Sequence, residues 1–110
     1  MKKLQLSLLA IAALFSVSTA QAAMDEGEIK SLMKKNNCFK CHAENKAKDG
    51  PSYKEIADKA RGKADAEAKM TKHITTTPQV EIKGKKEDHE PLKTKDPAEV
   101  KAIVQWILSR

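Results

Sequence analysis

The run Cys38-Phe39-Lys40-Cys41-His42 places two thiols three positions apart, with an imidazole directly after the second. This C-x-x-C-H spelling suits covalent attachment of a c-type haem: each cysteine forms a thioether and the histidine binds the iron. Haem iron has two axial positions, and His42 fills only one. Downstream of the motif the chain offers few partners for the other: Met70, His73 and His89.

Two rival chemistries use the same cysteines. A redox C-x-x-C of the thioredoxin type sits in a strand–helix–strand context, and no convincing strand precedes Cys38. A zinc site would draw on Cys38, Cys41, His73 and His89, but zinc knuckles and ribbons keep their second ligand pair close in sequence. His73 and His89 are sixteen apart. The start of the chain also favours haem. Met1-Lys2-Lys3, an apolar run from Leu4 to about Val17, and Ala20-Gln21-Ala22 spell a cleavable export leader over residues 1–22. Its apolar run is short of the roughly 20 residues a membrane span needs, so stable membrane insertion after cleavage is not expected. In an oxidising compartment two cysteines this close would form a strained disulfide unless consumed, and thioether attachment consumes both.

Residues 23–110 then form one small domain of 88 residues, whose aromatics are Phe39, Tyr53 and Trp106. A chain of this size struggles to bury enough apolar surface alone, and a porphyrin would complete the core. Without Lys2 and Lys3 the formal charge falls from +6 to about +4, too mild and dispersed to argue for nucleic acid.

The elements that must position the motif are helical. Ile29, Leu32 and Met33 give Asp25–Lys35 an apolar stripe, and Asn36-Asn37 breaks the helix before Cys38. Ser52-x-x-Glu55 reads as a capping box opening a helix over 53–60. A third helix spans 65 to about 75, with Ala66, Met70 and Ile74 in line. Asp96-Pro97-Ala98-Glu99 opens the last helix with an N-cap and a proline at its first position, and Val100, Ile103, Val104, Ile107 and Leu108 form its apolar face. Between them, residues 76–95 are charged and read as a long irregular loop.

This ordering resembles the small bacterial class I cytochromes c: helix, CxxCH, "GPSYKEIADKARG", a middle helix, a ligand-bearing loop, and a last helix ending "VQWILS". The resemblance covers nearly all of residues 23–110. It implies an all-α class I cytochrome c fold of four or so helices around one covalently bound haem c. It also implies that the Pro51 carbonyl accepts the second ring N–H of His42, fixing that ring's orientation. Where the family carries an aromatic five residues before the first cysteine, this chain has Met33. Where the family carries its axial methionine, this chain reads "KKEDHEPLKTKDP", with no methionine and with His89 in place.

His89 is therefore the expected distal iron ligand, giving bis-histidine coordination with His42. Met70 reads as core on its helical stripe, and His73 as a half-exposed histidine beside that stripe. Imidazole opposite imidazole favours ferric iron relative to a Met/His pair, so a low potential is expected. The loop has little apolar content, so an iron–His89 bond is expected to be what pins it. The functional expectation is a periplasmic one-electron carrier, not an enzyme. Lys34, Lys35, Lys40, Lys46 and Lys48 stand ready to steer redox partner proteins with acidic docking surfaces. The alternative is a gas-binding or sensor protein whose distal ligand leaves on reduction.

Overall fold

The computed structural model describes residues 23–110; the expected leader over residues 1–22 lies outside the described residues. Helix α1, Glu26–Lys35, opens on a reciprocal cap. The Asp25 carboxylate accepts from Glu28 N at 2.8 Å, and the Glu28 carboxylate accepts from Asp25 N at 3.2 Å. Acids in its first turn and Lys34 and Lys35 in its last follow the helix dipole. The chain leaves α1 through Asn36 and turns at Asn37, whose φ of 61° lies in the left-handed region that asparagine tolerates. A single 3₁₀ turn, Cys38–Lys40, follows.

Helix α2, Tyr53–Ala60, starts at Ser52, whose hydroxyl accepts from Glu55 N at 3.1 Å. The expected box is half formed, because the Glu55 carboxylate pairs with Lys59 instead of turning back. Helix α3 is Ala66–Thr75. Helix α4, Pro97–Leu108, has Asp96 as N-cap, accepting from Ala98 N at 2.9 Å, and Pro97 in the first turn. The other three helices all pack on α4. Its Val100, Ile103, Val104, Trp106 and Ile107 are buried against Met33 of α1, Tyr53 of α2 and Ile74 of α3. Met33 is wholly enclosed, so an unbranched thioether serves where the family carries an aromatic.

The segment between α3 and α4 corrects the sequence reading. Residues 76–95 are not an irregular loop but carry a hairpin. Strand β1, Gln79–Ile82, pairs antiparallel with β2, Lys85–Asp88, Val80 facing Glu87 and Ile82 facing Lys85. Its two-residue turn, Lys83-Gly84, has positive φ at both positions (51° and 78°), the mirror-image turn that matches strand twist. The fold is thus mostly helical, with four helices and one small hairpin. Among the described residues no helix is long and apolar enough to cross a membrane.

Candidate haem site

The attachment motif is held from behind by the chain that follows it. The Gly50 amide donates to Cys41 O at 2.8 Å, and Lys48 Nζ donates to Phe39 O at 2.8 Å. This folds residues 43–50 back on the motif and lays the Gly50–Pro51 peptide against the His42 ring. His42 Nδ1 lies 2.6 Å from Pro51 O; with the carbonyl as acceptor, Nδ1 carries the proton and Nε2 keeps its lone pair. Only glycine permits this approach. A Cβ at position 50 would stand 2.6 Å from His42 Cε1.

Cys38 and Cys41 are half-buried, unbridged thiols. Burial first pushes the Cys38 thiol above its ordinary value, partly offset by a hydrogen bond with Tyr53 and reinforced by the Glu90 charge. The three aromatics of residues 23–110 meet edge-to-face at the motif, with centroids of Phe39–Tyr53 at 5.9 Å, Phe39–Trp106 at 6.4 Å and Tyr53–Trp106 at 5.3 Å. Tyr53 also packs on the His42 ring at 5.1 Å. Burial pushes the Tyr53 phenol far above its usual range. The aromatics therefore form one wall against which the motif rests, rather than scattered core positions.

The three histidines of the chain come together. The His42 and His89 ring centroids are 6.4 Å apart, and His73 lies 4.5 Å from His89. His89 is half-buried; burial, and then the neighbouring imidazoles of His73 and His42, hold it below the ordinary histidine value. His73 is lowered by burial first and His42 second. His89 Nδ1 is buried with no hydrogen-bond partner. Met70, by contrast, packs against the core cluster. Among the described residues no three His, Cys, Asp or Glu side chains form a metal-binding group, so the zinc set of Cys38, Cys41, His73 and His89 is not assembled.

The segment bearing His89 is fastened through its backbone. His89 N donates to Pro78 O and Leu92 N to Ile74 O, both at 2.8 Å. The buried Asn36 amide accepts from Lys93 N at 2.7 Å and from Thr94 N at 3.2 Å, and donates to Leu32 O at 2.8 Å. The Leu92 side chain is buried in the core. The segment thus has backbone and Asn36 ties of its own, beyond the iron–His89 bond that the sequence expectation relied on. Sequence reasoning missed the hairpin and the Asn36 tie. The hairpin had a signal, since Val80 and Ile82 alternate with charged residues before a Lys-Gly turn. The Asn36 tie had none.

A porphyrin's iron fits this arrangement. A metal bonded to one nitrogen of each ring lies about 2 Å from it, which puts two facing imidazole centres roughly 6 Å apart. The His42–His89 separation matches that spacing.

The sequence matches the cytochrome c family over residues 27–110. The chain belongs to that family. It is a class I monohaem cytochrome c, carries one covalent haem c, and falls in a family of electron carriers rather than enzymes. It is 51% identical to the class 1 cytochrome MtoD from Sideroxydans lithotrophicus ES-1, whose crystal structure it matches with a TM-score of 0.70 over 74% of this chain and 90% of that one. Wild-type cytochrome c552 from Nitrosomonas europaea is 31% identical, with a TM-score of 0.58 over 73% of this chain and 96% of that one. Cytochrome c-551 from Pseudomonas aeruginosa is 41% identical over 69 residues, 63% of this chain. The matched region spans about three fifths, 62%, of that curated relative's length.

Proposed function

We propose that this cytochrome is an exported, periplasmic one-electron carrier whose haem is joined to Cys38 and Cys41 and held between His42 and His89. The observation that carries the reading is the approach of the two rings to 6.4 Å between centroids, one of them oriented by a backbone carbonyl. The haem supplies a one-electron ferric/ferrous couple. The chain supplies the rest. Pro51 accepts the His42 proton at Nδ1 and so raises the basicity of Nε2. His89, in the place of the family's methionine, donates more strongly than a thioether and lowers the potential. Backbone ties at Pro78, Ile74 and Asn36 hold His89 against His42 and limit the reorganisation that accompanies electron transfer.

The leader over residues 1–22 supports export. Exposed Lys34, Lys35, Lys40, Lys46 and Lys48 near the motif support docking of redox proteins with acidic surfaces, steered by charge and sensitive to salt. The alternative, a gas-binding sensor, requires His89 to leave the iron on reduction. Carbon monoxide added to the reduced protein separates the two. An unchanged Soret band, with a reversible one-electron potentiometric titration, supports the carrier. A shifted Soret band on carbon monoxide addition favours the sensor.

A further inference from the structure

The two histidines facing each other differ in what stands behind them. A metal-bound imidazole almost always donates its second ring N–H to an acceptor, and that bond fixes its tautomer and strengthens it as a ligand. His42 has such an acceptor in Pro51 O. His89 does not: its Nδ1 is buried and unpartnered, while Nε2 is not so enclosed. With Nε2 turned to the metal, the N–H at Nδ1 would be left inside the protein, an arrangement that costs about 1–3 kcal/mol if nothing accepts it.

The neighbours narrow the choice of acceptor. The Glu90 backbone is a weak hydrogen-bonding neighbour that raises the basicity of His89, while Nδ1 itself has no partner. The Glu90 side chain is exposed and accepts from Asn37 Nδ2 at 3.3 Å. The ring packed against His89 is that of His73. Its ring is 4.5 Å from the His89 ring, tilted by 54°, and it stands on the last turn of α3. The Leu92 N–Ile74 O bond ties that turn to the His89 segment. A neutral imidazole has one ring nitrogen free to accept, and the His73 ring is the imidazole in contact with His89.

We infer that His73 is a positioning residue for the distal ligand: a ring nitrogen of His73 accepts the Nδ1–H of His89 and strengthens the His89–iron bond. The inference rests on His89 being the distal ligand. Its chemistry is an imidazole–imidazole hydrogen bond on the distal side, the counterpart of the His42–Pro51 bond on the proximal side. Loss of the acceptor makes His89 a poorer donor, which destabilises ferric iron and raises the potential.

The test compares His73→Phe, which keeps a planar ring but removes the acceptor, with His73→Gln, which keeps an acceptor oxygen. Both are read in the ferric holoprotein by cyanide affinity, and across the couple by midpoint potential. Cyanide competes with His89, so weakening that bond by the usual ten- to hundredfold should lower the cyanide Kd of His73→Phe by about the same factor. Its potential should rise, while His73→Gln should keep values close to wild type. Equal values in all three proteins would overturn the inference, because the ring would then be passive packing. Equal shifts in both variants would also overturn it, since shape and not the acceptor would matter. If His73→Phe yields no holoprotein, histidine-labelled NMR of the reduced wild type decides: a scalar coupling between His89 Nδ1 and a His73 ring nitrogen across the hydrogen bond supports it, and the absence of that coupling refutes it. His89→Ala keeps the two readings apart. A low-spin His89→Ala protein defeats the distal assignment itself, whereas a high-spin one with unresponsive His73 variants defeats only this inference.

Discussion

Gly50 is the residue on which the proximal side turns, because its backbone lies against the His42 ring with no space for a side chain. Gly50→Ala should force the ring away from Pro51 O, an overpacking that costs typically 1–3 kcal/mol and also breaks the 2.6 Å bond. The expected outcome is a lower thermal midpoint of the holoprotein together with an altered ferric spectrum. A variant that loses stability but keeps the wild-type spectrum would mean that the bond does not orient His42. At this scale the sequence was generous where chemistry dictates spelling. CxxCH names its own cofactor, and the missing methionine is what makes His89 the proposed distal ligand. His73 was harder, since its surroundings come from a segment sixteen residues away. Read alone it looked half-exposed and inert, and the structure sets it against His89.

Among the elements, the helices were legible because each carries its own instructions: a capping side chain at the start, an apolar stripe, and a break. The segment between α3 and α4 was misread because charge masked a short alternation, and because a two-stranded ribbon with one strand wholly exposed leaves little hydrophobic trace. Asn36 shows the limit from the other side. A buried amide serving Leu32, Lys93 and Thr94 joins residues 57 and 58 positions apart, and nothing local announces it. Asn36→Ala should leave two backbone N–H groups unpaired, at about 1–3 kcal/mol each if they stay buried. Limited proteolysis checks it: cleavage between residues 89 and 95 should accelerate in this variant. It should not accelerate in His89→Ala, where the backbone ties survive.

The α1–α4 junction makes a separate prediction. Glu26 accepts from Trp106 Nε1 at 3.3 Å and from Arg110 Nη1 at 2.9 Å, with the Arg110 guanidinium 4.3 Å over the Trp106 ring. The Trp106 bond first, then Arg110 and Lys30, holds the Glu26 carboxyl below its ordinary 4.5. A carboxyl depressed in the folded state contributes stability above that value and loses it as pH falls through the folded pKa. Glu26→Gln should therefore melt below wild type near neutrality, and the difference should close as the pH is taken below 4.5. A gap that persists in acid would show that the charge is not what matters.

For the whole molecule, residues 23–110 bury one modest aliphatic cluster on α4, with an aromatic wall leaning on the attachment motif. The haem is as much core as cofactor in such a domain, because so short a chain removes too little apolar surface from water alone. Cys38→Ala, Cys41→Ala double-variant protein should be largely unfolded by circular dichroism, and a sharp cooperative melt would show a self-sufficient core. The fold was readable in advance because helix signals, the attachment motif and the size of the chain all agree. The distal assignment is the claim on which the functional reading stands, and the ferric spectrum of His89→Ala tests it most directly. Haem attachment should survive, since Cys38, Cys41 and His42 are untouched, and the iron should pass from six-coordinate low-spin to high-spin. A His89→Ala protein that stays low-spin without added ligand would mean that another residue holds the iron, and the His42/His89 account would be wrong.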